Sequence, residues 1–171
     1  MHNYPLTLEP ILIEKVWGGR NLERFGKQLP PNVPIGESWE LADLPNSIEG
    51  GKSVITNGAL AGKTLAEAIR GDGGFPLLIK FLDANDNLSV QVHPSKAYAE
   101  NHPQAHLKSE AWVVLDAEPS SYIYVGLKHG TTEEALRAAI DDNSIPELLN
   151  TIEVSKGECY SLPSGTCHAL G

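Results

Sequence analysis

The sequence is poor in cysteine, in basic residues and in long apolar runs, and each shortage excludes a class of protein. Its two cysteines, Cys159 and Cys167, are too few for a disulfide framework, so we expect reduced thiols. Only 13 basic residues stand against 22 acidic ones, and the net charge of -9 argues against nucleic acid or an anionic membrane as a partner. No stretch approaches the roughly 18 apolar residues of a membrane span, and we find no signal peptide. We therefore expect a cytoplasmic protein with a small soluble ligand.

The length and composition suit one folded domain. The chain has 171 residues, of which 41% are hydrophobic, enough to bury a sizeable core. It contains no internal repeat, and the stretches rich in proline and glycine, residues 29–36 and 46–51, are typical of loops. We therefore expect a single domain over residues 1–171. Nothing in the sequence indicates an oligomeric state.

Short apolar runs separated by glycine, proline and asparagine predict a mainly β protein. The candidate strands are Leu8–Ile13, Glu37–Ala42, Leu77–Asp83, Leu88–His93, Ser109–Leu115, Ser121–Val125, Thr151–Val154 and Glu158–Leu162. Helices are predicted over Thr64–Gly71, Thr131–Ile140 and Ser144–Asn150. Each predicted helix begins with Ser or Thr and has Glu three residues later, the pattern of a capping box. Many short strands with few helices are typical of a sandwich or a barrel.

Two of the predicted strands carry polar side chains on one face. Gln91 and His93 lie two positions apart, so in a strand both side chains project from the same surface. Glu110 shares a face with Trp112 by the same period, and we expect its carboxylate to face the same interior as Gln91 and His93.

A turn near the C-terminus delivers a second histidine. Gly157 precedes a predicted strand, and Pro163 and Gly165 form a Pro-x-Gly turn before His168. Proline fixes φ and glycine permits positive φ, so the turn aims His168 in a defined direction.

Together these segments offer an amide, two imidazoles and a carboxylate, which suit Zn²⁺ or another divalent transition metal. The candidate ligands are Gln91, His93, Glu110 and His168. A neutral glutamine oxygen leaves much of the ion's charge available to polarise a substrate. Each histidine alone also has a plainer interpretation, as a hydrogen-bonded structural residue or an incidental residue of a turn.

The spacing from Gly157 to His168 resembles the second signature of the cupin superfamily, and His93 followed by Glu110 resembles the ligands of the first. In cupins these residues meet inside a small β-barrel. The resemblance therefore implies a cupin-type (jelly-roll) barrel with a few short helices.

Six blocks narrow the resemblance to the type I mannose-6-phosphate isomerase family. In chain order they are Trp17–Gly19, Gly36–Glu40, Lys80–Ala84, Leu88–Pro94, Lys108–Glu110 and His168–Gly171. They span almost the whole chain, and Gln-Val-His-Pro with a downstream Lys-x-Glu is specific to that family rather than to cupins at large. The family's zinc ligands correspond to the four candidate ligands above, which implies one Zn²⁺ per chain.

The resemblance implies an aldose-ketose isomerase that interconverts mannose 6-phosphate and fructose 6-phosphate through a metal-stabilised enediolate. Lys108 shares the predicted strand face of Glu110 and is our candidate for proton transfer or substrate positioning, because a lysine beside a cation releases its proton more readily. A solvated lysine at a strand end is the alternative. Lys80 matches a family lysine that would orient the phosphate or a hydroxyl. We interpret His102 and His106 as surface residues.

Four further residues have structural interpretations. Trp39 and Trp112 are assigned to the core, and Glu40 is interpreted as a paired carboxylate beside Trp39. Cys167 adjoins His168, so in an extended segment its side chain points away from any ligand position.

The chain departs from the family pattern at Gly171, where the family continues with further strands, so we expect a barrel incomplete at its C-terminus. The missing portion would carry a catalytic arginine. Two other functions stay open: a non-catalytic metal-binding cupin that binds a sugar phosphate, and a metal-dependent cupin oxidase or dioxygenase. The oxidase is less favoured because redox cupins usually present a histidine at the position of Gln91.

Overall fold

The structure is a computed structural model that describes residues 4–69 and 74–171. The chain divides into two compact units, Met1–Asn85 and Asp86–Gly171. Within the described residues, antiparallel strands dominate and three short α-helices accompany them, so the mainly β prediction is confirmed. The described sheets are separate, and none of them closes on itself. The single domain over residues 1–171 stays a prediction.

The first unit is built on one antiparallel sheet. Its strands are β1 (Ile11–Gly19), β2 (Ile35–Leu41) and β3 (Ile79–Leu82), in the order β1-β2-β3. Two 3₁₀ helices, Asn21–Phe25 and Gly58–Leu60, and the short helix α1 (Leu65–Ala68) accompany the sheet. Its buried apolar side chains include Leu22, Ile35, Ala42, Ile55 and Leu65.

Helix α1 begins with the predicted capping box. The Glu67 backbone N–H donates to the Thr64 hydroxyl at 3.3 Å, and the Thr64 backbone N–H donates to the Glu67 carboxylate at 2.7 Å. The helix is shorter than the predicted Thr64–Gly71, because Ile69 already has an extended backbone conformation. Positions 70 and 71 of that prediction lie outside the described residues.

The second unit contains two sheets. Strands β4 (Glu110–Val113) and β7 (Cys159–Leu162) form one, and β6 (Leu149–Glu153), β5 (Tyr122–Leu127) and β8 (His168–Leu170) form the other in that order. Helix α2 (Lys96–Asn101) precedes β4, and helix α3 (Glu133–Asp141) and the 3₁₀ helix Ile145–Leu148 lie between β5 and β6. The buried apolar side chains include Ile123, Ala139, Leu149, Val154, Leu162 and Ala169. Among the described residues of the chain, no helix is both long and apolar enough to cross a membrane.

The two capping boxes predicted in this unit did not form as expected, although Ser144 does lie at the N-cap of the 3₁₀ helix Ile145–Leu148. Thr132 caps α3 by accepting the Ala135 N–H at 3.2 Å, whereas the Thr131 hydroxyl donates to the Lys128 carbonyl at 2.8 Å. Ser144 makes no side-chain cap. Whether Thr131 or Thr132 caps the helix depends on the conformation of the preceding loop. The spacing of three residues between a hydroxyl and a Glu carries no information about that loop.

The predicted strand Leu88–His93 is also wrong, because only Gln91 pairs regularly. Gln91 and His168 form an isolated antiparallel bridge. The Leu88 N–H donates to the Leu170 carbonyl at 2.9 Å. Leu88 lies three residues before Gln91, whereas Leu170 lies two residues after His168. The pairing is therefore out of register by one residue between the two contacts, as in a β-bulge.

A buried carboxylate of the first unit accepts hydrogen bonds from an indole N–H and an ammonium group. Glu37 is 9% exposed, and its Oε2 accepts a hydrogen bond from Trp39 Nε1 at 2.7 Å and from Lys80 Nζ at 3.0 Å. Trp39 lies opposite Lys80 in the β2–β3 register. The structure thus places Lys80, the predicted substrate-binding residue, in an ion pair on β3. The partner of Trp39 is Glu37, whereas Glu40 pairs with Lys27.

We predict that Glu37→Gln lowers the free energy of unfolding by about 1 to 3 kcal/mol at pH 7. Burial raises the pKa of Glu37, but the Trp39 hydrogen bond and the Lys80 charge outweigh burial and hold the pKa below its ordinary 4.5. A depressed pKa stabilises the fold above the unfolded-state value, and this contribution is lost as pH falls through the folded-state value. The free energies of unfolding of wild type and variant, measured by urea unfolding, should therefore converge at acid pH.

The matched control for this prediction is Glu49→Gln, since Glu49 is exposed in the same unit. It should change the free energy of unfolding by less than about 0.5 kcal/mol. A difference between wild type and Glu37→Gln that stays constant from neutral to acid pH would contradict the assigned role of the carboxylate.

Candidate metal centre

Three predicted ligands of the second unit lie together. One ligating atom from each of His93, Glu110 and His168 lies within 4.8 Å of the other two. Glu110 is the first residue of β4, and His168 is the first residue of β8. His168 is only 4% exposed, whereas His93 and Glu110 are half-buried. The cluster therefore has one anchored imidazole and two side chains that solvent still reaches.

The three side chains approach one another through their lone-pair atoms. His93 Nε2 lies 3.0 Å from Glu110 Oε1, and His168 Nε2 lies 4.0 Å from Glu110 Oε2. The two imidazole rings are tilted, with centroids 5.4 Å apart. Each carboxylate oxygen thus faces a different histidine, an arrangement that gathers two nitrogens and two oxygens around one small volume.

The tautomer of His168 follows from its backbone contact. Its Nδ1 lies 2.8 Å from the Thr166 carbonyl oxygen. A carbonyl only accepts, so Nδ1 carries the proton and the neutral ring keeps its lone pair on Nε2. Histidine ligands of metals usually donate their second ring N–H in this way, which fixes both tautomer and ring orientation. The lone pair on Nε2 of His168 therefore lies on the side of Glu110, where it is available to a cation.

Backbone pairing brings the ligand segments together. Gln91 and His168 exchange two hydrogen bonds, 2.9 Å from Gln91 N to His168 O and 2.8 Å from His168 N to Gln91 O. Gly165 N donates to the His93 carbonyl at 2.9 Å. The Pro-x-Gly turn before β8 is thus bonded directly to the segment that carries His93. The predicted turn aims His168 and also holds the other histidine.

A second set of contacts joins this turn to the start of β4. The Lys108 backbone N–H donates to the Ser164 hydroxyl at 2.6 Å, and the Ser164 N–H donates to the Ser109 hydroxyl at 3.1 Å. In the β4–β7 register Glu110 pairs with Leu162, one residue before the turn. The carboxylate therefore projects beside the segment that carries the second histidine.

Lys108 supplies the positive charge of the cluster. Its Nζ forms an ion pair with Glu110 Oε1 and lies 3.2 Å from His93 Nε2. Burial raises the pKa of Glu110, but the hydrogen bond and charge of Lys108, with hydrogen bonds from Trp112 and His93, lower it to about 2. Glu110 is therefore an ionised acceptor at neutral pH. His93 Nε2 faces both the Lys108 ammonium, which only donates, and the ionised Glu110 carboxylate, which only accepts. It donates to Glu110 when it carries the ring proton, and it offers its lone pair to Lys108 or to a metal ion when the proton is on Nδ1. In the second tautomer the donor set fits a cation.

The remaining predicted residues are placed as follows. Gln91 is exposed, and as the directly opposed partner of His168 its side chain projects to the same face. His102 is exposed and stacks on Tyr98, with ring centroids 3.8 Å apart. His106 is exposed as well. Burial raises the pKa of the half-buried Cys167 thiol, which favours its protonated form. The ligand role of Gln91 stays a prediction.

Sequence reasoning missed Trp112, which was assigned to the core alone. Its Nε1–H donates to Glu110 Oε2 at 3.1 Å, and its ring meets His168 edge-on with centroids 5.5 Å apart. The available signal was Glu-x-Trp in a strand, which places an indole and a carboxylate on one face two positions apart.

Comparison with known proteins identifies the relatives of the chain. Residues 6–160 match the family model described as phosphomannose isomerase type I, catalytic domain. Mannose-6-phosphate isomerase ManA of Bacillus subtilis is 38% identical over 182 aligned positions, which cover 100% of this chain and 56% of ManA. The mannose-6-phosphate isomerase of Streptococcus mutans is 40% identical, covering 98% of this chain and 54% of that protein. The chain thus spans about half the length of these relatives.

The fold agrees with the sequence comparison. The crystal structure of the mannose 6-phosphate isomerase from Bacillus subtilis superimposes with a TM-score of 0.81 at 34% identity. The superposition covers 97% of this chain and 55% of that one. The fold expected from the family resemblance is therefore confirmed.

We predict that Gly165→Ala destabilises the protein more than Gly157→Ala. The two glycines have nearly the same positive φ, 96° and 93°, so alanine carries a similar backbone strain of about 1 to 3 kcal/mol at either site. A Cβ at Gly165 would lie 2.9 Å from Ser95 Cβ, whereas at Gly157 no described heavy atom outside its chain neighbours lies within 4 Å. The difference in the free energy of unfolding between the two variants therefore measures the close approach of Gly165 to Ser95, which follows His93 in the chain.

The measurement is urea unfolding of both variants together with their zinc affinity. Gly165→Ala should unfold more easily than Gly157→Ala and bind zinc more weakly, because Gly165 N holds the His93 carbonyl. Equal losses of stability and unchanged zinc affinity in both variants would contradict a role for this turn in the centre.

Proposed function

The chain belongs to the type I phosphomannose isomerase family, and we propose that it carries the metal centre of an isomerase that interconverts mannose 6-phosphate and fructose 6-phosphate. The observation that supports this most is the convergence of His93, Glu110 and His168, whose ligating atoms lie within 4.8 Å of one another. Relatives that cover the whole chain are named mannose-6-phosphate isomerases. The protein would be cytoplasmic and take a small sugar phosphate as its substrate.

We propose one zinc ion per chain, held by Gln91, His93, Glu110 and His168. Imidazole nitrogen and carboxylate oxygen are ordinary zinc ligands, and Gln91 opposes His168 in the bridge that holds the segment. A bound zinc ion would act as a Lewis acid that stabilises negative charge on sugar oxygens while a proton leaves the carbon beside a carbonyl. Only Glu110 contributes a formal negative charge to this set, so it neutralises the ion only in part.

Lys108 is our candidate for moving or holding the proton. Its Nζ contacts Glu110 and His93 and is the positive group nearest to both ligands among the contacts described above. The side chain is 47% exposed, so a substrate can reach it. An ammonium group can hydrogen-bond a developing oxyanion, and the amine form can accept a proton. Lys80 is proposed to orient the phosphate or a hydroxyl.

The first test of the proposal is metal content. Purified wild type, supplied with zinc and then desalted, should contain close to one zinc per chain by mass spectrometry. His93→Ala and His168→Ala should each lose most of it, because removing one of a small ligand set weakens binding steeply. His102→Ala is the matched control, since His102 is an exposed histidine of the same unit, and it should retain zinc.

A folded wild-type chain without zinc would overturn the assigned centre. Retention of zinc in both His93→Ala and His168→Ala would overturn the ligand assignment, whatever the wild type binds. Circular dichroism of each variant separates the loss of a ligand from the loss of the fold.

The second test is turnover. Fructose 6-phosphate formed from mannose 6-phosphate can be followed by coupling to phosphoglucose isomerase and glucose-6-phosphate dehydrogenase. Lys108→Gln should lower kcat by at least about 100-fold while retaining zinc, because general acid-base groups contribute that much or more. Lys96→Gln, which removes another exposed lysine of this unit, should leave kcat unchanged.

Each outcome of the second test has a distinct meaning. Unchanged kcat in Lys108→Gln would overturn the role of Lys108. Zinc-loaded wild type without turnover would instead favour a metal-binding protein that binds a sugar phosphate without converting it.

A further inference from the structure

We propose that Trp112 is a positioning residue of the metal centre, which holds the Glu110 carboxylate in the orientation that a divalent cation requires. The inference rests on the proposed function, because it assumes that Glu110 is a ligand. Trp112 acts through Glu110 and His168 and has no assigned contact with a substrate.

The indole contacts two of the three clustered ligands. Its Nε1–H donates to Glu110 Oε2 at 3.1 Å. Its ring lies at 83° to the His168 ring, with centroids 5.5 Å apart. The indole therefore restrains the carboxylate by a directional hydrogen bond and the imidazole by an edge-on aromatic contact.

Each oxygen of Glu110 has a hydrogen-bond partner, and the donor to Oε2 is the indole. Oε1 contacts Lys108 Nζ and His93 Nε2, while Oε2 receives the Trp112 N–H. The terminal torsion of glutamate is broad, so a carboxylate bonded at one oxygen alone turns readily. With both oxygens held, Oε1 stays beside one histidine and Oε2 beside the other. Loss of the indole N–H would leave Oε2 free to move away from His168.

The exposure of Trp112 argues against a role in the core alone. Trp112 is half-buried and is absent from the buried side chains of the described residues. In β4 it alternates with the exposed Ala111 and Val113, so its ring lies on the same face as Glu110. The strand thus presents a carboxylate and its hydrogen-bond donor as a local pair.

The first unit contains the same pair, and its described residues place no histidine cluster beside it. Trp39 Nε1 donates to Glu37 Oε2 at 2.7 Å, and Lys80 supplies the ammonium group that Lys108 supplies beside Glu110. Trp39→Phe therefore removes an equivalent hydrogen bond from a carboxylate that is not one of the three clustered ligands. It is a matched control for Trp112→Phe in chemistry and in the spacing of the pair along a strand.

The experiment measures the zinc dissociation constant of wild type, Trp112→Phe and Trp39→Phe by competition with a chromophoric chelator. We expect Trp112→Phe to bind zinc about 10- to 100-fold more weakly, as is usual for the loss of a hydrogen bond to a metal ligand. Trp39→Phe should have the same zinc dissociation constant as the wild type. The visible spectrum of the cobalt-substituted protein should change in Trp112→Phe alone, because it reports the geometry of the ligands.

A purely structural role for Trp112 gives a different pattern. The melting temperature in excess chelator would fall in both variants, and both would bind zinc as the wild type does. That pattern overturns the inference and leaves the metal centre intact. Absence of zinc binding in the folded wild type overturns the centre and the inference together.

A measurement on the wild type covers the case in which Trp112→Phe fails to fold. In protein labelled with ¹⁵N on its tryptophans, the Trp112 indole signal is identified by its retention in Trp17→Phe and Trp39→Phe. On addition of zinc this signal should shift and its proton should stay protected from exchange with solvent. A Trp112 proton that exchanges rapidly in the zinc-loaded protein shows that the hydrogen bond is not kept, and overturns the inference.

Discussion

The site depends first on the antiparallel bridge between Gln91 and His168. Its two hydrogen bonds, of 2.9 and 2.8 Å, are made by the backbone and so do not depend on any ligand side chain. They place the start of β8 against the segment that carries His93, although these segments lie far apart in the sequence. The hydrogen bond from Gly165 N to the His93 carbonyl then fixes the backbone of His93. The histidines are thus brought together by peptide groups, which leaves their rings available for chemistry.

The second constraint is the charge of Glu110. A half-buried carboxylate loses hydration, which by itself favours protonation. Three donors around it reverse the balance and lower its pKa to about 2. Lys108 contributes most among them, so one lysine both keeps the carboxylate ionised and places an ammonium group beside His93. The site therefore combines an ionised carboxylate, two imidazoles and an accessible ammonium group, which are the components required by the proposed metal centre.

The parts of the site that the sequence predicts are those set by short spacing. Glu110 and Trp112 share a face because strand side chains alternate, and the Pro-x-Gly turn delivers His168 because its φ angles are restricted. The strand through Gln91 failed as a prediction because its ladder slips by one residue against β8, and β8 itself has only three residues. Register and pairing of this kind depend on distant segments. For the same reason, the hydrogen bond from Trp112 to Glu110 was visible in the spacing, but its proximity to His168 was not.

The repeated Glu-x-Trp pair separates local structure from function. At Glu37 and at Glu110 the same spacing yields the same indole-carboxylate hydrogen bond, with a lysine as the second partner. The local sequence therefore specifies the pair, and it does so equally well in both units. Within the part of the chain that the structure describes, two imidazoles come to the carboxylate at Glu110 and not at Glu37. What distinguishes a buried structural ion pair from a candidate metal centre is thus the backbone pairing that delivers the histidines, because the carboxylate, the indole and the lysine are common to both.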